Sequence, residues 1–315
     1  MSAGPKRPAR SETSVGTAYG FVAYLIWGTF PLYFHAIEPA GAWEVLAHRV
    51  LWTLLVCAII LSVRRRMGFV REVLHEPRRL AILTIASLLI AVNWTIYVQA
   101  VITGHVTEAA LGYFLNPLVT VALGVMVLKE RLRTMQWVAV GIGLLAVVYL
   151  AIDYGKPPWI SVSLAFSFAG YGLMKKRIGG SLTALESLSF ETAVLAPVAV
   201  VLLVVLTIRG ETTFTTHGSV HLLLLAGSGI VTAIPLLLFA ASARRVPLVT
   251  IGLLQFLTPI LQLLCGVALL GEQMSSARWV GFGIVWVSLT LLASDSVISA
   301  TRGRRLARSA EGVAV

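Results

Sequence analysis

Residues 113–118 read Tyr-Phe-Leu-Asn-Pro-Leu, and residues 255–260, 142 positions later, read Gln-Phe-Leu-Thr-Pro-Ile. Proline destabilises a helix interior, because it has no amide donor and its ring crowds the carbonyl four residues back. Two apolar runs carrying it in one register share more than composition. The register holds outward from the prolines. Leu115, Gly124, Val125, Leu128, Glu130, Trp137, Val138, Gly141 and Ile142 meet Leu257, Gly266, Val267, Leu270, Glu272, Trp279, Val280, Gly283 and Ile284. Towards the N-terminus Gly28 meets Gly170, Glu44 meets Glu186 and Tyr24 meets Phe166. Chance alignment of apolar segments returns Leu and Val, not Pro, Trp and Glu in step. The chain therefore reads as a tandem duplication.

The solvent of both halves follows from composition. The 315 residues are 57% hydrophobic and 12% charged, with mean hydropathy +0.87. Soluble domains carry about 25% charged residues, so this chain cannot cover a water-facing surface. The reading is an all-α integral membrane protein, which excludes a soluble enzyme or a nucleic-acid-binding domain. Ten apolar runs are close to the roughly 20 residues that a helix needs to cross the hydrocarbon core. They fall at 17–37, 43–63, 80–101, 107–128, 134–152, 158–174, 186–208, 220–243, 248–270 and 277–294. Residues 1–16 form a polar tail, 17–152 the first five-helix repeat, 158–294 the second, and 295–315 a basic tail.

Charge sets the orientation. With the N-terminus in the cytoplasm, 21 of the 25 Lys and Arg fall in cytoplasmic segments and three outside, with Arg49 inside a span. That bias is the positive-inside rule. It accounts for the net charge of +11 as topology and places both termini in the cytoplasm of a multi-pass cytoplasmic-membrane protein. Five spans per repeat is an odd number, so the second repeat must lie inverted relative to the first, as in many secondary transporters. No cleavable leader is expected, since the first 16 residues are polar and the following span is full length. Cys57 and Cys265 both lie in apolar runs and suggest no disulfide framework.

Polar side chains at membrane depth usually face the bundle interior. They are His48 and Arg49 in span 2, Asn93 and Gln99 in span 3, Glu108 and Asn116 in span 4, Tyr171 and Lys175 in span 6, Glu191 in span 7, and Gln255 and Gln262 in span 9. Amides there often join helices to one another. Arg49 and Glu191 are equivalent under the 142-residue shift, a cation in one repeat and a carboxylate in the other. Gly112 beside Tyr113 admits a second backbone, and Pro117 is expected to kink its helix, matched by Pro259. Matched interrupted helices point to a transporter binding site. Glu130 and Glu272 end their spans and read as structural anchors. No metal-ligand spacing, nucleotide loop or nucleophile elbow appears, so neither enzyme, cofactor nor metal is expected.

Several motifs resemble the EamA type of the drug/metabolite transporter superfamily. They include Trp27-Gly28-x-x-Pro31-Leu32-Tyr33, Glu44-x-x-Ala47-His48-Arg49, Asn93-Trp94-x-x-Tyr97 and Glu108-x-x-Leu111-Gly112-Tyr113-Phe114-x-Asn116-Pro117-Leu118. Tyr171-Gly172-x-x-Lys175-Lys176, Glu186-x-x-x-x-Glu191-Thr192, Thr232-Ala233-x-Pro235-Leu236 and Gln255-Phe256-x-x-Pro259 continue the resemblance to about residue 295. Gln99 departs from it, standing where an aromatic is expected. The resemblance implies a permease exporting a small metabolite or drug.

Together these readings give a ten-helix alternating-access carrier with a small-molecule substrate, a bilayer around it and a proton as coupling ion. Arg49 would hold an anionic group of the substrate. Asn93, Tyr113, Asn116, Tyr171 and Gln255 would supply hydrogen bonds, and Trp27, Trp94 and Phe256 apolar contact. Glu191, and secondarily Glu108, would carry the proton, because burial disfavours a charged carboxylate. A membrane-embedded enzyme on a lipid-linked substrate and a passive channel are the alternatives.

Overall fold

A computed structural model describes residues 9–313 apart from 67, 130–131, 154, 156, 179–181, 244, 247–249 and 252–253. Glu130 lies outside the described residues. Every regular element among them is helical. Helices α1 (Ala9–Gly28) and α2 (Phe30–Ala36) meet at a 40° bend around Thr29. They are followed by α3 (Ala42–Val63), the short α4 (Gly68–Leu74), α5 (Pro77–Ile102), α6 (Val106–Leu128) and α7 (Thr134–Asp153). The second half contains α8 (Trp159–Ile178), α9 (Ala184–Ile208), α10 (Gly218–Ala243), α11 (Leu257–Leu264) and α12 (Ser276–Val313).

Local sequence sets these boundaries. Pro77 opens α5 in the first turn, where a missing amide costs little, and Gly104 follows that helix with φ 67°. Lys129 ends α6 in the left-handed conformation. Thr183 and Glu186 form a reciprocal capping box on α9, the Glu186 carboxylate accepting from Thr183 N–H at 2.7 Å.

Seven helices are long and apolar enough to cross a membrane, and the bent α1–α2 pair makes eight among the described residues. The sixth expected span is α8, whose serines and Lys175-Lys176-Arg177 end reduce its apolarity. The ninth is broken: α11 covers only its second half and passes into a π-helical turn, Cys265–Leu269. Pro117 lies inside α6, which continues through it as one helix from Val106 to Leu128. Beyond the tenth expected span, α12 runs on through the basic segment to Val313.

The outer faces of these helices are apolar: Val63, Ile152 and Ile208 are each more than three-quarters exposed. Polar groups such as Glu44, Arg49, Asn93 and Glu191 are buried instead. That inversion suits a protein whose solvent is lipid, where exposed polar groups find no partner. The principal packing pairs are α3 with α9, α7 with α12, α6 with α11, α5 with α8, α1 with α10, α6 with α8, α1 with α11, α3 with α10, and α5 with α9.

Candidate functional site

On α3, Ala42, Val45, Arg49, Thr53, Cys57 and Leu61 recur at three- and four-residue steps and are all buried. Arg49 therefore belongs to the face that packs inward. On α10, Gly229 lacks the side chain that would collide with the backbone of Trp52 and Thr53, so the two helices meet there. One turn further along α10, Thr232 accepts a hydrogen bond from Arg49 Nε at 3.1 Å.

Three rings surround the guanidinium: Trp94 at 4.2 Å from its central carbon to the ring centre, Phe34 at 5.2 Å and Phe30 at 5.7 Å. Such contacts stabilise a desolvated cation by about 2 kcal/mol. They do not neutralise it. Arg49 is 3% exposed, its Nη1 is buried without a hydrogen-bond partner, and no carboxylate pairs with it among the described residues. The Tyr97 ring packs against Phe34, and its buried hydroxyl is likewise unpartnered. Two buried groups around Phe34, Arg49 Nη1 and the Tyr97 hydroxyl, are thus without a hydrogen-bond partner. Tyr97 was missed as a site residue, although it stands in the Asn93-Trp94-x-x-Tyr97 motif.

Asn93 is the hub of a second arrangement. Its amide donates to Leu164 O at 3.1 Å and to Ser167 Oγ at 3.0 Å, while its oxygen accepts from Tyr113 at 3.1 Å. It ties α5, α6 and α8 together. Gly112 admits the α8 backbone at Ser161, as the sequence suggested, and Ser161 Oγ donates to Glu108 O at 2.6 Å. Asn116 is buried with an unpartnered amide oxygen. Gln255 is half-buried in the turn before α11. Trp27 packs against Tyr24 and Phe239, and Phe256 packs beside the buried α6–α12 cluster. Gln99 is exposed.

Glu191 has a different environment. Lys175 Nζ lies 2.5 Å from its Oε1, Ser187 Oγ donates to the same oxygen at 2.8 Å, and Tyr171 OH donates to Oε2 at 3.1 Å. Lys175 also donates to Ser187. Both carboxylate oxygens are thus engaged by α8 and by Ser187 of α9. Glu108 is buried, and its carboxylate makes no hydrogen bond or ion pair among the described residues.

Two carboxylates clasp one half of the chain to the other. Glu272 accepts from Val106 N–H and Thr107 N–H, the latter at 2.8 Å, and so satisfies amides in the first turn of α6. The anchor is therefore a helix N-terminus, where a negative charge is favoured. Glu44 accepts from Thr213 N–H (2.7 Å), Thr213 Oγ1 (2.8 Å) and Phe214 N–H (3.1 Å). The Thr213 hydroxyl proton points to Glu44, so His221 Nε2, 2.7 Å away, donates to Thr213. Sequence reading left Glu44 and His221 without roles, because their partners lie some 170 and eight residues away on an irregular loop. No group of three metal-binding side chains occurs among the described residues.

Residues 14–152 and 158–294 each match the EamA-like transporter family. Protein RarD of Streptomyces exfoliatus is 50% identical over 296 residues, covering 94% of this chain and 93% of that protein. An "uncharacterized transporter" of Pseudomonas aeruginosa is 41% identical, over 89% of this chain and 94% of its own. A crystal structure at 19% identity superimposes with TM-score 0.58, covering 88% of this chain and 96% of that one, and shows a shared fold. The chain belongs to the EamA-like transporter family and is a multi-pass membrane transporter of a small-molecule substrate.

Proposed function

We propose that this family member is a secondary-active exporter of a small metabolite or drug that carries an anionic group. The observation carrying the reading is Arg49: a buried, ring-lined cation with one unpartnered nitrogen and no counter-charge among the described residues. Leaving such a group unpaired is costly, and a substrate carboxylate or phosphate would pair it. The buried Tyr97 hydroxyl would add a second donor, and Trp94 and Phe34 would cover an apolar part of the same molecule. Tyr113, Asn116, Tyr171, Gln255, Trp27 and Phe256 remain assigned to the substrate path, and Asn93 to holding Tyr113 within it.

The carrier would work by alternating access between two inverted five-helix repeats, 17–152 and 158–294, with both termini in the cytoplasm. The packing pairs support this, because exchanging the halves leaves their pattern unchanged. Pairs α3–α9, α7–α12 and α6–α11 map onto themselves, α5–α8 onto α10–α1, α6–α8 onto α11–α1, and α3–α10 onto α9–α5. The two family matches, one per half, point the same way. Coupling is assigned to Glu191: a proton arriving there would compete with Lys175, giving the α8–α9 contact two states. Glu108, buried without a partner among the described residues, is the secondary site.

Untargeted mass spectrometry of cells and medium tests the reading. Cells producing the wild type are compared with cells producing an equally abundant Arg49→Ala, Asn116→Ala variant. The expected result is an anionic compound enriched in the medium and depleted inside only with the wild type. Accumulation inside would reverse the direction, and a transported cation would overturn the role of Arg49.

A further inference from the structure

A groove of about 350 Å³ lies between α3, α4, α9 and the start of α5, away from the Arg49 neighbourhood. Its sides include Leu54 and Leu61 of α3, Phe69 and Leu74 of α4, and Phe190 and Val194 of α9. Ser189 is the one polar side chain among its lining residues. Beside it, Leu55, Ile59 and Leu74 are exposed, so the groove opens on a lipid-facing side of the protein.

The groove has a direction. On α3 the groove runs from Leu54 to Leu61, seven residues or about 10 Å of helix, against a leaflet about 15 Å deep. It therefore spans much of one leaflet and ends about one turn short of Arg64, Arg65 and Arg66, which follow α3. The segment 64–79 carries six arginines against two glutamates, Glu72 and Glu76. Arg64, Arg65, Arg66, Arg71 and Arg78 are exposed, and among the ion pairs of the described residues only Arg79 is engaged, with Glu76 at 3.0 Å. A topology signal needs positive charge on this side of the membrane. It does not need an apolar slot leading towards that charge.

We infer that this groove is a binding site for an anionic phospholipid. One acyl chain would lie along Leu54, Leu61 and Phe190, under the cover that α4 provides through Phe69 and Leu74. The phosphate would sit among Arg64, Arg65 and Arg66, within reach of Arg71. Each basic side chain near a membrane surface adds about 1 kcal/mol of attraction to anionic lipid, which selects phosphatidylglycerol over a zwitterionic lipid of the same chains. The site is independent of which molecule is exported.

Native mass spectrometry of the full-length protein, delipidated in mild detergent, tests it. The probes are phosphatidylglycerol and phosphatidylcholine with identical acyl chains at equal concentration. The wild type is expected to retain phosphatidylglycerol at least about fivefold over phosphatidylcholine, in line with about 1 kcal/mol or more of selectivity. An Arg64→Gln, Arg65→Gln, Arg66→Gln variant is expected to bring that ratio below about two, since each charge carries part of the selectivity. Ala58→Trp, which fills the groove, is expected to reduce occupancy by both lipids while leaving a cooperative thermal transition. Equal retention of the two lipids by the wild type overturns the inference, as does an unchanged ratio in the triple variant. If Ala58→Trp does not fold, the arginine variant, altered only at exposed positions, decides alone.

Discussion

Arg49 and Glu191 occupy the same place in the two halves of the duplication, yet their surroundings differ. Arg49 is held by one threonine and three rings, with Nη1 left open. Glu191 has its charge answered by Lys175, with Ser187 and Tyr171 adding hydrogen bonds. One position has been left receptive and the other completed from within. A buried charge answered internally binds its own protein, whereas one left open is poised to bind something else. Duplication supplied two matching positions, and the residues around them now differ; under the proposed function one would face the ligand and the other act as a switch.

Arg49→Met tests the receptive side and should have the largest effect. Losing a charge-assisted contact of about 3 kcal/mol predicts a drop of about 100-fold in transport at equal abundance. The thermal midpoint should hold or rise, because an uncompensated buried charge has been removed. A midpoint that falls in step with transport would make Arg49 a structural residue.

Glu191→Gln tests the completed side. It strands Lys175, so about 3 kcal/mol of stability should be lost, and Lys175→Met in the same chain should restore most of it. Gradient-driven transport should stay absent in both variants while substrate exchange continues. Loss of both activities, or of neither, would sink the coupling role.

Gly112→Val should force α6 and α8 apart at Ser161, at a cost of about 2 kcal/mol. Part of the transport activity should go with it, through displacement of Tyr113 and Asn93. The smallest change is expected for Asn116→Ala. Its amide oxygen has no partner, so thermal stability should move by less than about 0.5 kcal/mol. Transport should still fall several-fold if that oxygen meets substrate.

The membrane class and the duplication were legible because they rest on composition and register. Pro117 was legible as a proline inside a span, and α6 carries it within one helix from Val106 to Leu128. Asn93 was legible as an interior polar residue but not as a hub, since its partners Leu164 and Ser167 lie in the other repeat. The Glu44–Thr213–His221 chain was illegible for the same reason, with Glu44 and Thr213 169 residues apart. Residues along one helix announce themselves by spacing; contacts between repeats are set by how the halves dock.

The two clasps have a consequence for biosynthesis. As the first five helices leave the insertion machinery, the opening amides of α6 still lack Glu272, and Glu44 still lacks Thr213 and Phe214. The nascent first half therefore carries unanswered donors at one place and an unanswered carboxylate at another. Those donors gain their carboxylate only once residue 272 has been made. The halves are products of one duplication, yet the loop that carries Glu272 completes the start of α6 in the other half.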